Sequence, residues 1–392
     1  MLLPWVLTLA FALPGAVNAG AFESPSVAVH PQATVVAGVE GIVRDELATA
    51  YDRSGPRDTR YYRAGEWRNW DRDCWTCDVA PATAASVLWA TSGLTDTRMR
   101  SAVVATFDHA IREQQRADGL FRGANSSPGI QAAFFGVELG TTYLLVGDRV
   151  GAATRARWRA SLERAADALI REGDTTWYAN GNINILFAEL LYDAWRATGR
   201  ADLHRAFDTA LEFTLHPSQR RWPGRGLILT REPLLASGAD GAGYLSEEGS
   251  GGVGFDAEYT SMQLDAASRL WLFSRDPRVL RLANLLANEL LVRVDSSWDL
   301  DTSGGTRHPQ PNRRAPFLTG GIATLAWAGG RPELAADLPS QLARARDEYD
   351  ETKAPKHHND VRWLSTQLGT LLLAAQVAQT DGAPLGAPVR GS

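Results

Sequence analysis

Apolar residues recur along most of this chain at intervals of three and four, which is the spacing of amphipathic helices. The strict alternation typical of strands is almost absent. The pattern predicts helices at 35–51, 81–93, 97–116, 129–147, 152–172, 181–198, 201–215, 256–274, 277–293, 315–328, 332–348 and 360–378. We therefore expect an all-α fold.

Short turns and long irregular connections alternate between these helices. The short turns include SGLTDT, VGDRVG and AGGRPE, whereas the long connections are polar and aromatic, as in WDRDCWTCDVAP, DGLFRGANSSPG, GDTTWYANGNIN, DTSGGTRHPQPNRR and ETKAPKHHND. Helical hairpins that cannot bury both faces alone must stack on neighbours, and five or six pairs can close into a ring of inner and outer helices. In such an (α/α) toroid every long connection leads into an inner helix, so all of them gather at one end, here called the mouth. An open superhelix is the alternative, but its hairpins would share a consensus, and these share only their length.

Length and composition are those of a globular protein with one large domain or two modest ones. The chain has 392 residues, of which 44% are apolar and 22% charged. An N-terminal apolar run ends in a small-residue site at Ala19, which indicates a signal peptide at 1–19, although no Lys or Arg precedes the run and an uncleaved anchor is the alternative. We expect a secreted protein, extracellular or cell-wall associated, with a toroid catalytic domain at 20–380 and a disordered tail at 381–392. No other stretch approaches the ~20 apolar residues that a membrane-spanning helix needs.

Charge and cysteine content exclude several kinds of partner. The net charge of −5 argues against a nucleic-acid or membrane-surface binder, because both need a basic excess. Cys74 and Cys77 form either a local disulfide or two thiols beside a ligand site, since two sulfurs alone cannot complete a zinc site. The adjacent His357 and His358 would also need further ligands to bind a metal. We expect a monomer with no metal and no cofactor.

The longest connection runs from Asp240 to Asp265 and is rich in glycine and serine. Such loops adopt unusual backbone angles or let a ligand approach closely. Asp256 can cap the helix that follows, and Tyr259 then lies in its first turn. Glu247 and Glu248 have no comparable structural role, so the stretch is expected to form a wall or lid over a ligand.

Two segments, TWYANGNINILFAELLYDAWRATG and DGAGYLSEEGSGGVGFDAEYTSMQLDAASRLW, resemble secreted carbohydrate-active enzymes of the α/α-toroid type. The resemblance is to the polysaccharide lyase superfamily that includes alginate, chondroitin, hyaluronate and heparinase-like lyases. It implies a polysaccharide substrate and a cleft at one end of the toroid that contains an Asn, a His, a Tyr and often an Arg.

The chemistry of β-elimination requires these residue types. A proton must leave the carbon next to a carboxylate, so an amide or a cation must neutralise that carboxylate while Tyr or His transfers the proton. The candidates for catalysis are Asn182, Tyr259, His308 and Arg313. The candidates for substrate binding are Trp75, Trp177, Asn180, Glu247, Glu248, Asp256, Arg314 and His358. The predicted function is a secreted polysaccharide lyase that acts on a uronic-acid-containing glycan.

Other interpretations of the same residues stay open. Asn180 or Asn182 could simply cap a helix, and His357 or His358 could replace His308. A glycoside hydrolase would instead use two carboxyl groups, chosen from Glu247, Glu248, Asp256 and Glu258, with Asp78 or Asp174 opposite. A non-catalytic secreted glycan-binding protein is the third alternative.

Two carboxylates interrupt apolar inner-helix patterns, Glu138 in FFGVELGTTYLL and Glu189 in ILFAELLYDAW. A buried carboxylate needs a partner. Either could be a catalytic acid, but we expect a structural contact to an arginine or a backbone amide.

Overall fold

A computed structural model of the protein describes residues 30–52, 79–91, 97–122, 127–176, 178, 180–352 and 358–380. Several sequence-based predictions fall outside these residues. They concern the signal peptide, the tail, Cys74, Trp75, Cys77, Asp78, Trp177 and His357. Of His358, only its position at the start of the last helix is described. Export and the monomeric state likewise stay predictions.

The described residues form twelve α-helices, numbered in chain order. They are α1 Ala33–Asp52, α2 Ala80–Thr91, α3 Thr97–Glu113, α4 Pro128–Val146, α5 Ala152–Glu172, α6 Gly181–Thr198, α7 Ala201–Leu215, α8 Ala257–Ser274, α9 Pro277–Leu291, α10 Gly320–Trp327, α11 Leu338–Thr352 and α12 His358–Gln379.

The even-numbered helices form a closed inner ring. Each packs on the next in the order α2, α4, α6, α8, α10, α12, and α12 returns to α2. The odd-numbered helices pack around the outside, for example α7 against α6 and α9 against α8. Every long connection leads into an inner helix, so the inner helices all begin at the mouth. The predicted all-α, (α/α) toroid is confirmed.

Burial separates inner from outer helices. The inner helix α4 buries 14 of its 19 residues, whereas the outer helix α5 buries 7 of its 21, on one side only. Among the described residues α4 alone is long and apolar enough to cross a membrane, and 83% of its most apolar window is buried inside the ring. The expectation that no second stretch reaches this length and hydropathy was therefore wrong for α4. A helix surrounded by other helices meets the same test as a membrane span.

Strands were not expected, yet the described residues contain three short antiparallel hairpins in the long connections. They pair β1 Leu227–Arg231 with β2 Ala242–Leu245, β3 Glu247–Gly249 with β4 Gly252–Gly254, and β5 Asp299–Asp301 with β6 Arg314–Pro316. Gly252, where the Gly-rich tip of this second hairpin enters β4, has φ 103°, a conformation that few residues other than glycine adopt.

Two predicted helices begin later than expected. The helix at 315–328 begins only at Gly320, because β6 takes up the residues through Pro316 and the Thr319 hydroxyl caps the first turn by accepting the N–H of Gly321 at 2.9 Å. The helix predicted at 332–348 starts instead as a 3₁₀ helix, Pro332–Asp337, and α11 begins only at Leu338.

Candidate active site

Glu247 caps helix α6 from a distant part of the chain. Its Oε1 accepts the backbone N–H of Asn182 at 2.8 Å and the Nε2–H of Gln263, on α8, also at 2.8 Å. The N-cap residue Asn180 makes no side-chain cap. The expectation that Glu247 lacks a structural role was therefore wrong: this carboxyl group joins the first turn of α6 to α8. Burial raises its pKa to about 8, so it holds a proton at neutral pH.

Asp256 joins the start of α8 to the connection that precedes α10. It caps α8 as predicted, accepting the N–H of Tyr259 at 3.1 Å. Its other oxygen accepts the backbone N–H groups of Arg307 at 2.8 Å and His308 at 3.0 Å. A Cβ on Gly305 would collide with this carboxylate, so glycine is required for the close approach. Asp256 is 1% exposed, and its carboxylate fixes the start of α8 against residues 307 and 308, while its predicted role in substrate binding stays a prediction.

His308 is held between two carboxylates. Its Nδ1 lies 3.3 Å from Asp256 Oδ1 and its Nε2 lies 3.5 Å from Glu258 Oε2. A carboxylate therefore faces each ring nitrogen, and Nε2 becomes accessible to a ligand only when Glu258 moves away. The imidazole lies 5.8 Å from the Tyr259 ring, centroid to centroid, and its side chain is 19% exposed.

Two arginines lie beside the rings of His308 and Tyr259. The Arg307 guanidinium lies 4.9 Å from the Tyr259 ring centroid, with Nη2 3.4 Å from the tyrosine hydroxyl. Arg313 Nη2 donates to Glu258 Oε2 at 2.9 Å, and its backbone N–H donates to Ser303 Oγ at 2.8 Å. Three of the four predicted catalytic residues thus lie together: Tyr259, His308 and Arg313.

The remaining candidates lie near this group or away from it. Asn182 is buried in the first turn of α6, and its Oδ1 has no partner among the described residues. Glu248 pairs with Arg225 at 2.8 Å, and its N–H donates to Asn180 Oδ1 at 3.4 Å. Arg314, the first residue of β6, instead pairs with Asp295 in the turn before β5, so it is not part of the group around His308.

Sequence reasoning missed Arg225, Arg307 and the bridging role of Gln263. Arg307 directly precedes His308 in GGTRHPQ, so its position beside a candidate histidine was a usable signal. Arg225 offered no such signal, because it reaches Glu248 only through the pairing of β1 with β2.

A second polar group lies deep in the ring. Arg269 on α8 makes two parallel hydrogen bonds to Glu189 on α6, at 2.6 and 3.0 Å, and both side chains are buried. The expected structural contact of Glu189 to an arginine is confirmed. Glu138 and Arg269 line a cavity of about 10 Å³, room for about one water molecule.

Two more buried carboxyl groups border this pair. Asp193 lies one turn further along α6, and burial raises its pKa. Asp265 on α8 accepts the N–H of Gly321 at 3.0 Å, and burial raises its pKa to about 7. Among the residues that the structure describes, no three His, Cys, Asp or Glu side chains are grouped to hold a metal ion.

Comparison with known proteins shows the fold. No protein-family model matches the sequence, and no curated protein sequence matches it. A mutant unsaturated glucuronyl hydrolase from Streptococcus agalactiae is similar in structure, with a TM-score of 0.50 and 13% identity over 86% of this chain and 90% of that one. A β-1,3-1,4-glucanase from Paenibacillus sp. X4 has a TM-score of 0.54 and 10% identity, over 89% and 95% of the two chains.

A D-mannose isomerase is also similar, with a TM-score of 0.51 and 11% identity over 87% and 98% of the two chains. The chain therefore has the α/α toroid that carbohydrate-active enzymes use. Since one fold hosts hydrolases and an isomerase, the reaction has to be argued from the side chains at the mouth.

Proposed function

We propose that the protein is a polysaccharide lyase that cleaves a uronic-acid-containing glycan by β-elimination at the mouth of the toroid. The observation that carries the proposal is the contact between the rings of Tyr259 and His308, with Arg307 and Arg313 beside them. These groups supply a base, an acid and two cations within one small region, which is the set that elimination next to a carboxylate requires.

In the proposed reaction, His308 is the base. Asp256 holds Nδ1, and once Glu258 has moved away from Nε2, this nitrogen takes the proton from the carbon next to the uronate carboxylate. The electron pair released forms a carbon–carbon double bond as the bond to the leaving oxygen breaks. The hydroxyl of Tyr259 gives its proton to that oxygen, and the proton on Nε2 returns to the tyrosine through solvent.

Arginine is suited to neutralising the carboxylate as negative charge develops. Its planar guanidinium binds both carboxylate oxygens at once. Arg313 is bound to Glu258 in the free protein, so an incoming uronate would exchange with that side chain. Asn182 is joined to this region through Glu247, which accepts its backbone N–H, but its side chain is buried, so it supports the site without touching the carboxylate.

Glycoside hydrolysis is the second candidate, and Glu247 favours it. A carboxyl group with a pKa near 8 carries a proton at neutral pH, as a general acid must. Two of the similar structures are a glucuronyl hydrolase and a glucanase. However, Glu247 is completely buried, so the β3–β4 hairpin would have to move before this residue could reach a sugar. Elimination therefore ranks first.

The test is incubation of the purified protein with acidic and neutral glycans. Elimination creates an unsaturated uronate, which absorbs in the ultraviolet, whereas hydrolysis releases a reducing end without that absorbance. New reducing ends with no rise in absorbance would overturn the lyase proposal in favour of hydrolysis.

Single variants test the residues. Tyr259→Phe and His308→Gln are each expected to lower kcat about 10²-fold or more, the usual cost of removing a proton-transfer group. Tyr143→Phe, near the far end of α4, is the matched control and should leave kcat unchanged. Full activity in both mouth variants would show that the reacting groups lie elsewhere.

A further inference from the structure

The turn between α7 and β1 contains three arginines and a tryptophan within six residues, RRWPGR at 220–225. The turn is well ordered by its own hydrogen bonds. Gln219 donates to the carbonyl of Arg225 at 3.3 Å and accepts the N–H of Gly224 at 3.3 Å. The N–H of Trp222 donates to the carbonyl of Ser218 at 2.8 Å. These contacts fix the direction in which the side chains leave the turn.

Trp222 forms a half-buried platform with a cation above it. Its ring packs on Tyr178 and Phe213, both 6.4 Å away between centroids. The guanidinium of Arg221 lies 5.1 Å from the ring centroid, in a cation–π contact. Arg220 and Arg221 are exposed, and within the described part of the chain neither makes an ion pair with an acidic side chain.

The turn is connected to the mouth through hydrogen bonds. Arg225, at its end, pairs with the Glu248 carboxylate at 2.8 Å. The Glu248 carbonyl accepts Nη1–H of Arg307 at 2.9 Å, and Arg307 contacts Tyr259. The turn at 220–225 is therefore linked to the group around Tyr259 through two residues, Glu248 and Arg307.

We propose that this turn is an additional glycan subsite, which binds an anionic group on a sugar unit away from the cleavage point. It rests on the proposed action on an acidic glycan. The two exposed guanidiniums suit a carboxylate or a sulfate, and the cation–π contact with Trp222 holds Arg221 in place. The subsite would make the protein hold a chain rather than a single terminal sugar.

Affinity electrophoresis tests binding without requiring activity. The double variant Arg220→Ala/Arg221→Ala is run in gels that contain polygalacturonate, which has only carboxylates, or dextran sulfate, which has only sulfates. Mobility is normalised to a polymer-free gel. The matched control is Arg159→Ala/Arg205→Ala, which removes two exposed arginines from outer helices α5 and α7. Duplex DNA serves as a polyanion that is not a glycan.

The dissociation constant for one of the two glycan-type polymers is expected to rise about tenfold, equivalent to ~1.4 kcal/mol, in the turn variant only. The polymer affected identifies the bound group as carboxylate or sulfate. Equal weakening in both double variants, no weakening in either, or DNA binding as tight as polymer binding would overturn the subsite.

Cleavage assays separate this inference from the proposed function. The turn variant should cleave the shortest accepted oligosaccharide with wild-type kcat/KM. Its kcat/KM should not rise with chain length as that of the wild type does, whereas Tyr259→Phe should lose activity on oligosaccharides of every length. If the turn variant binds polymer more weakly but the wild-type protein has no lyase activity, the subsite stands and the lyase proposal is refuted. If the protein is an active lyase and the turn variant binds polymer normally, the lyase proposal stands and the subsite is refuted.

Discussion

Replacing Asp265 by Asn should remove one identifiable part of the pH dependence of folding stability. Asp265 is wholly buried on α8, and its pKa is about 7 in the folded protein against an ordinary value of 3.8. Burial is the main cause, because it disfavours the charged form. Asn has nearly the same shape, and its carbonyl can still accept the N–H of Gly321.

The sign and size of the effect follow from linkage. Because the folded pKa is raised, the wild-type protein holds a proton that the unfolded chain releases, so its stability falls as pH rises from about 4 to about 7. A pKa shift of about three units, at about 1.36 kcal/mol each, changes the free energy of unfolding by up to about 4 kcal/mol over this pH range. The gain in the free energy of unfolding from Asp265→Asn should therefore be about 4 kcal/mol larger at pH 8 than at pH 4.

Urea unfolding followed by tryptophan fluorescence at several pH values measures this difference. Asp148→Asn, which changes an exposed carboxylate at the turn after α4, is the control and should alter stability by less than about 0.5 kcal/mol at either pH. Parallel stability curves for Asp265→Asn and the wild type would refute the reasoning, since they would mean that Asp265 does not take up a proton on folding.

Three further outcomes are expected from the same unfolding measurement. Arg269→Met should lose about 3–5 kcal/mol, because it leaves a buried carboxylate without its cation; a loss under 1 kcal/mol would contradict this. Gly140→Ala should cost about 1–3 kcal/mol, since a Cβ there would overlap the side chain of Asp193, whereas Gly151→Ala has open space and should cost less. Glu247→Gln should be nearly neutral at pH 6, where the carboxyl group already holds a proton, and a large loss would refute that protonation.

The helices and their closure into a ring could be predicted because both depend on local pattern. A period of apolar residues near 3.6 predicts the helices, and the alternation of short and long connections predicts the inner and outer layers. The hairpins could not be predicted, because strands of three to five residues rich in glycine carry too short an alternation.

The site was predictable only in part, since its contacts join distant stretches. Glu247 caps a helix that begins 66 residues earlier, which no local pattern indicates. Which of Arg313 and Arg314 joins the group around His308 depends on how the chain enters β6, which begins at Arg314. Neighbouring side chains leave a strand on opposite faces, so one arginine reaches Glu258 and the other Asp295.

The packing of α12 against α2 has a consequence for how the chain folds. These helices are the last and first of the inner ring, so the contact that closes it spans most of the described sequence. Contacts of such long range form slowly, because the whole intervening loop must be ordered first. Gly369, Thr370 and Leu373 of α12 line the cavity beside Glu138 and Arg269, so the wall that separates these two side chains from water is completed only when α12 docks.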